Sequence, residues 1–172
     1  GVQIYTSGNV TLTGNKTYAT SVASNTGRGI DISTQGNISI SNLFIYQNTH
    51  GLNLINNSGS GSVALTNLYL ENHSVQEINI QSHGAVSLSG VNVSNAVKAV
   101  EINNIYTSPK SVTIKNLYIS TTSSTGLEVN SSGSISISGS SFYDITYPSA
   151  VRLDNTYGTS SGITISTSYV NN

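Results

Sequence analysis

Seven short bursts of apolar–polar alternation recur along the chain: NVTLT, NISIS, SVALT, AVSLS, SVTIK, SISIS and GITIS. Their second apolar residues are Leu12, Ile40, Leu65, Leu88, Ile114, Ile137 and Ile165, spaced 28, 25, 23, 26, 23 and 28 residues apart. A repeat of this length, one supersecondary unit per period, predicts a solenoid in which each unit buries its apolar face on its neighbours. Alternation of period 2 predicts strands, and no stretch carries a competing helical period.

Each burst lies between two further strands. Before it stand the pairs Val2/Ile4, Ile30/Ile32, Leu52/Leu54, Ile78/Ile80, Val100/Ile102, Leu127/Val129 and Val151/Leu153. After it stand Leu43/Ile45, Leu68/Leu70, Val91/Val93, Leu117/Ile119, Ser140/Phe142 and Ser168/Val170, with Asn15/Thr17 as the expected pair in the first unit. This predicts one domain over 1–172, built as seven three-strand rungs with 42 inward positions, 38 of them apolar.

The second turn sets the register. The last inward residue of strand two and the second inward residue of strand three lie five apart throughout, from 12 and 17 to 165 and 170. Two positions into this corner stand Gly14, Asn42, Asn67, Gly90, Asn116, Gly139 and Thr167. Gly and Asn tolerate positive φ, so a left-handed corner is expected, with Thr167 the departure. Across the first turn the inward residues are six apart in rungs one, two, four and six, but nine or ten apart in rungs three, five and seven. The longer loops NNSGSGS, NIYTSPKS and NTYGTSSG should form protrusions on alternate rungs. A larger insertion, KTYATSVASNTGR, is expected to close rung one.

Units such as GLNLINNSGSGSVALTNLYLENHS resemble the parallel β-helix repeat of pectate-lyase-like proteins, including the small residue before strand one (Gly29, Gly51, Ala99, Gly126, Ala150), from which Glu77 departs. The resemblance covers essentially the whole chain. It implies a right-handed parallel β-helix, and a family that spans lyases, hydrolases, tailspikes, adhesins and surface proteins.

Composition narrows the function classes. Charged residues make up 8% of the chain, against roughly 25% in typical soluble proteins. The net charge of −1 offers nothing to attract nucleic acid. There is no cysteine, hence no disulfide or thiolate metal site, and no apolar run long enough for a membrane helix. Abundant Val, Ile and Thr argue against disorder. A start at Gly1 without a Met or signal-like segment fits a processed, secreted protein or an excised fragment, and the polar, charge-poor, cysteine-free surface suggests a prokaryotic cell-surface or extracellular setting.

Catalytic and metal constellations are not evident, and no cofactor is implied. The outward column of strand one reads Gln3, Asp31, Asn53, Asn79, Glu101, Glu128 and Arg152. Glu101 and Glu128 should stack about 4.8 Å apart, where they would share a proton, hold a cation, or be neutralised in part by Arg152. Asp31, Asp144 and Asp154 are scattered, whereas hydrolases of the resembled family use clustered Asp. His50 and His73 share the third turn of adjacent rungs, and His83 stands apart. An outward column on strand three, Lys16, Phe44, Tyr69, Asn92, Tyr118, Ser141 and Tyr169, offers Phe44, Tyr69, Tyr118 and Tyr169 for sugar stacking or a partner surface. Glu101 and Glu128 complete the candidate binding set. The outward Ser/Thr ladder of strand two resembles the ice-binding face of some β-solenoids, although only one rung is Thr-x-Thr and Lys115 interrupts it. Seven Asn-x-Ser/Thr sequons occur, about as many as the Ser and Thr content produces by chance.

Strand one begins at Val2 and strand three of rung seven runs to the end, leaving no residues for a cap. Either the chain is cut from a longer protein, or rung seven of one copy pairs with rung one of the next. Whole rungs favour head-to-tail self-association. The resulting expectation is a structural, non-enzymatic β-solenoid. The alternatives are a β-helix that binds or degrades polysaccharide, and an ice-binding solenoid.

Overall fold

The computed structural model describes residues 1–15, 20–56, 58–106, 110–146, 148–158 and 162–171. The rungs form as the alternation requires. Rung one holds β1 (Val2–Thr6), β2 (Val10–Thr13) and β3 (Ser21–Ala23); rung two β4 (Arg28–Thr34) and β5 (Ile38–Tyr46); rung three β6 (His50–Asn56) and β7 (Val63–Glu71). Rung four holds β8 (Gln76–Ser82) and β9 (Val86–Ala96); rung five β10 (Lys98–Asn104), β11 (Val112–Lys115) and β12 (Tyr118–Thr122). Rung six holds β13 (Leu127–Ser131), β14 (Ile135–Ser138) and β15 (Ser141–Ile145), and rung seven β16 (Val151–Asp154), β17 (Ile163–Ser166) and β18 (Tyr169–Asn171). In rungs two to four one strand runs through the second corner.

The first strands stack in the order β1-β4-β6-β8-β10-β13-β16, a seven-stranded parallel sheet. The others form a second parallel assembly of eleven strands that wraps the remaining faces. Among the described residues there is no helix. Register is one residue per column: Val100 pairs with Ile78 and Leu127, and Leu65 with Ile40 and Leu88. The inward Ile, Leu and Val of rungs two to six are almost wholly buried and form one continuous core. The inward Ser140 is also buried; it donates to Ser138 O and accepts from Leu117 N–H.

Rung one corrects the expected register. The partner of Ile45 is Val22, and Thr17 with its neighbour Lys16 lies outside the described residues. The separation between Leu12 and its counterpart on strand three is therefore ten residues, not five. The insertion sits in the corner, and the third strand lies inside the stretch expected to close the rung. Gly14, at the start of this detour, does not take a left-handed φ. Its role is close approach, since a Cβ there would lie 2.0 Å from Asn42 O. In rungs two to seven the corner is left-handed throughout, at Asn42, Asn67, Gly90, Asn116, Gly139 and Thr167 (φ between 48° and 64°). Thr167 departs in residue type only.

A second left-handed column closes the third turn: Ser24, Gln47, Asn72, Asn95, Thr121 and Asp144. The next residue of each rung turns back inside, giving the column Asn25, Asn48, His73, Ala96, Thr122 and Ile145, mostly buried. These side chains explain the small residues before strand one. A Cβ on Gly29 would lie 2.9 Å from Asn48 Nδ2, on Gly51 3.2 Å from His73 Cε1, and on Gly126 2.5 Å from Ile145 Cδ1. At rung four the sizes are exchanged, with Ala96 at the turn and Glu77 before the strand. Glu77 is wholly buried, and its carboxylate lies against Nδ1 of the buried His73 and accepts from the His73 backbone N–H at 3.0 Å.

The first turn uses two devices. In the four short turns a hydroxyl accepts from the N–H two residues on: Thr6 from Gly8, Thr34 from Gly36, Ser82 from Gly84 and Ser131 from Gly133, at 3.0–3.1 Å. In rungs three, five and seven the same position carries Asn56, Asn104 and Asn155. Asn56 Nδ2 donates to Gly36 O and Gly61 O, each at 2.7 Å, and Asn104 Nδ2 to Gly84 O at 2.9 Å. A longer turn takes the longer side chain.

Thr121 holds φ at 54° with a β-branched, exposed side chain, a strain of about 1 kcal/mol or more. Thr121→Asn should raise the melting temperature by about 2–4 °C. Gly139→Ala should lower it, because φ is 59° and the added Cβ would lie 2.5 Å from Asn116 Oδ1. Thermal unfolding of the two variants checks both signs.

Candidate functional site

The outward column of the first sheet is in register from end to end: Gln3, Asp31, Asn53, Asn79, Glu101, Glu128, Arg152. Its side chains bond along the stack. Asn79 Nδ2 donates to Asn53 Oδ1 at 2.8 Å, and Asn53 Nδ2 to Asp31 Oδ1 at 2.7 Å. Asp31 also accepts from Arg28 Nη1 at 3.0 Å and from Gln3 Nε2 at 3.4 Å. Burial pushes the Asp31 carboxyl up, but the hydrogen bonds from Asn53 and Arg28, the Arg28 charge and Gln3 together hold it below the ordinary value of 3.8.

Glu101 and Glu128 are neighbours, as their alternation predicts, and Lys98 lies between them. Its Nζ is 2.9 Å from Glu101 Oε2 and 3.1 Å from Glu128 Oε2. Arg152 Nη1 closes the far side of Glu128 at 2.8 Å, while Gln76 and Asn103 donate to Glu101. Burial raises the Glu101 carboxyl, and Lys98, Asn103 and Gln76 more than reverse this, so it lies below its ordinary 4.5. Burial lowers the Lys98 ammonium, and the two carboxylates more than restore it, above 10.5. Lys98 and Arg152 thus meet the two carboxylates within the array. Strict alternation from Val100 assigns Lys98 to the interior. Ala99 and Val100 are both buried, so the alternation breaks there and Lys98 is released to the surface.

The aromatic side chains occupy two adjacent outward columns of strand three. Phe44, Tyr69, Asn92, Tyr118, Ser141 and Tyr169 form the first, as expected; the position assigned to Lys16 belongs to Ser21. Tyr46 and Tyr143 stand in the second column, which the sequence reading did not single out. Phe44 stacks on Tyr46 at 4.6 Å and meets Tyr69 edge-on at 5.8 Å. Tyr143 packs between Tyr118 and Tyr169, at 5.6 and 5.5 Å. The arrangement is two clusters separated by Asn92 and Ser94 of rung four.

The histidines serve different roles. His73 is buried; Nδ1 faces Glu77, and Nε2 lies 3.1 Å from Asn48 Nδ2, so neither ring nitrogen is open to a metal. His50 lines an open hollow of about 440 Å³ with Gly1, Gln3, Arg28 and Asp31. Burial, then the charges of Arg28 and His73, lower its pKa. His83 packs on Tyr106 in the first turn. Among the described residues no group of three His, Asp or Glu could hold a metal ion. Asp144 is a left-handed turn residue, and Asp154 caps the turn at Thr156. The Ser/Thr ladder of strand two is in register, with Lys115 between Ser89 and Ser138. The Asn56 sequon is occluded, since Asn56 is buried. Among the described residues no helix is long and apolar enough to cross a membrane.

No family model, curated protein or solved structure matches the chain.

Depressed carboxyl pKa values in the folded chain mean stability that is present above the ordinary values and lost as pH falls through the folded ones. The melting temperature should therefore fall in acid, between about pH 5 and pH 2. In Glu101→Gln that fall should be shallower, with a lower starting value at neutral pH. The raised Lys98 pKa acts in the opposite sense, its contribution persisting below 10.5 and fading only as pH rises through the elevated value. Melting curves across the acid range test the assignment, and an unchanged slope in Glu101→Gln would refute it.

Proposed function

We propose that this chain is a structural, non-catalytic β-solenoid of the prokaryotic cell surface or extracellular space, whose terminal rungs stack head to tail with those of further copies. The observation that carries this reading is the match between the apolar columns of rung seven and those of rung one. Ile163, Ile165 and Val170 are 42%, 56% and 55% exposed, whereas the same columns in rungs two to six are almost completely buried. The strands β16, β17 and β18 also present unpaired edges on that side.

The other end fits it column for column. Continuing the register would set Val151 and Leu153 of one copy on Val2 and Ile4 of the next, Ile163 and Ile165 on Val10 and Leu12, and Val170 on Val22. Val2, Ile4, Leu12 and Val22 are only partly buried at present. Such a contact is heterologous and does not close, so it generates a filament. The non-catalytic part of the reading is supported by the engagement of the three carboxylates of the strand-one column, Asp31, Glu101 and Glu128, in ion pairs and in hydrogen bonds from neighbouring amides.

Sedimentation should show mass rising with concentration above the 18.0 kDa of one chain. Ile165→Lys at one end and Leu12→Lys at the other should each hold the protein at that mass. A wild-type chain that stays monomeric at high concentration would overturn the proposal.

A further inference from the structure

Three tyrosines of the strand-three face follow a rule that the rest of that column does not. Tyr69, Tyr118 and Tyr169 belong to rungs three, five and seven, and pairing runs Tyr69–Asn92–Tyr118–Ser141–Tyr169. Successive tyrosines are therefore two rungs apart, about 9.6 Å along the stack. All three are well exposed, at 52%, 40% and 53%. Between Tyr69 and Tyr118 the short Asn92 leaves a recess, while between Tyr118 and Tyr169 the Tyr143 ring of the next column stands beside Ser141.

The rings are braced without being covered. Tyr143 packs against both Tyr118 and Tyr169 from the next column, and Phe44 meets Tyr69 edge-on. Bracing lowers the entropy lost when a ligand settles on them. The two outward columns also carry little charge. The first reads Ser21, Phe44, Tyr69, Asn92, Tyr118, Ser141 and Tyr169. The second reads Ala23, Tyr46, Glu71, Ser94, Ser120, Tyr143 and Asn171, so Glu71 is the one charged residue among these described positions. A polyanion, whether nucleic acid or polyuronate, finds no cation in these columns.

We propose that Tyr69, Tyr118 and Tyr169 form a binding track for an extended, neutral, β-1,4-linked polysaccharide lying parallel to the solenoid axis. In such a chain successive sugars are turned over, so the same face recurs at every second ring. The two-rung spacing matches that disaccharide repeat: alternate sugars set their C–H faces on the three tyrosines, and the intervening ones meet Asn92 on rung four and Ser141 beside the Tyr143 ring on rung six. The proposal is independent of end-to-end stacking, because the track lies on the side of the solenoid.

The test is calorimetric titration with β-1,4-linked glucan oligosaccharides of two, four and six sugars, with an oligogalacturonate of six sugars as the charged control. It is run on both the wild-type chain and Ile165→Lys, so that failure of stacking and failure of binding are read separately. Affinity should rise with each added disaccharide. Tyr118→Ala should weaken the hexasaccharide roughly tenfold or more, while Tyr118→Phe, which keeps the ring, should retain most of it. Circular dichroism of each variant should be unchanged, since the ring is exposed. Asn92→Leu, which leaves all three tyrosines in place, should weaken the tetra- and hexasaccharide but not the disaccharide. No binding by the folded wild-type chain, equal binding by the triple Tyr→Ala variant, or a preference for the oligogalacturonate would overturn the proposal. So would side-by-side dimerisation of Ile165→Lys that the triple variant abolishes, because the face would then belong to a second copy.

Discussion

Every column of this molecule is governed by the parallel pairing of one rung on the next. In-register stacking at about 4.8 Å sets each side chain over its counterpart, so each column must be compatible with itself. Aliphatic columns meet this condition inside the solenoid. Amide columns meet it outside, because an amide both donates and accepts and can pass the bond along, as Asn79, Asn53 and Asp31 do. Carboxylates do not meet it. Where Glu101 and Glu128 become neighbours, Lys98 and Arg152 must be interleaved. The carboxylates of the strand-one column follow this geometry, Asp31 being met by Arg28 and Asn53, and Glu101 and Glu128 by Lys98 and Arg152.

Self-compatibility also limits size, and the chain answers with a modulation of two rungs. At the second corner Asn67 and Asn116 alternate with Gly90 and Gly139. A Cβ on either glycine would lie 2.9 or 2.5 Å from the asparagine oxygen of the preceding rung. The amide of one rung thus occupies the space that the glycine of the next leaves open. The same alternation appears at the first turn, where Asn56, Asn104 and Asn155 mark the long loops and Thr34, Ser82 and Ser131 the short ones. It appears again in the exposed tyrosines. The first turn, the second corner and the tyrosine column carry one period, so the repeating unit of rungs three to seven is a pair of rungs.

Most of this was readable from period-2 alternation, because inward aliphatics are decided by burial alone. Rungs two to seven take the expected register for that reason. Rung one does not, because the sequence offers two segments for its third strand, and Val22 fills the column under Ile45 where Thr17 would leave an apolar position unfilled. The third-turn column escaped for a different reason. Asn48, His73 and Thr122 are polar residues that go inside because the left-handed Gln47, Asn72 and Thr121 reverse the chain just before them, and alternation cannot foresee a reversal. Its signal was present in the small residues at Gly29, Gly51 and Gly126, which mark where another side chain needs room. The binding set was readable by column but not by contact: Phe44, Tyr69, Tyr118 and Tyr169 were found, whereas Tyr46, Tyr143 and Lys98 needed the structure to bring them alongside.

The junction proposed between rung seven and rung one of a further copy is the same kind of surface as the contact between rungs six and seven. They differ in that the latter is covalently tethered. Within the chain each rung docks without loss of translational freedom, so modest burial suffices to hold it. Between chains that freedom must be surrendered, at about 4–15 kcal/mol. Completing the burial of half-exposed Ile163, Ile165 and Val170 contributes on the order of 1 kcal/mol each, with similar amounts from the facing residues of rung one. The two sums are comparable. The proposed junction would therefore be graded by concentration, and a local excess of chains would shift it towards the stacked state.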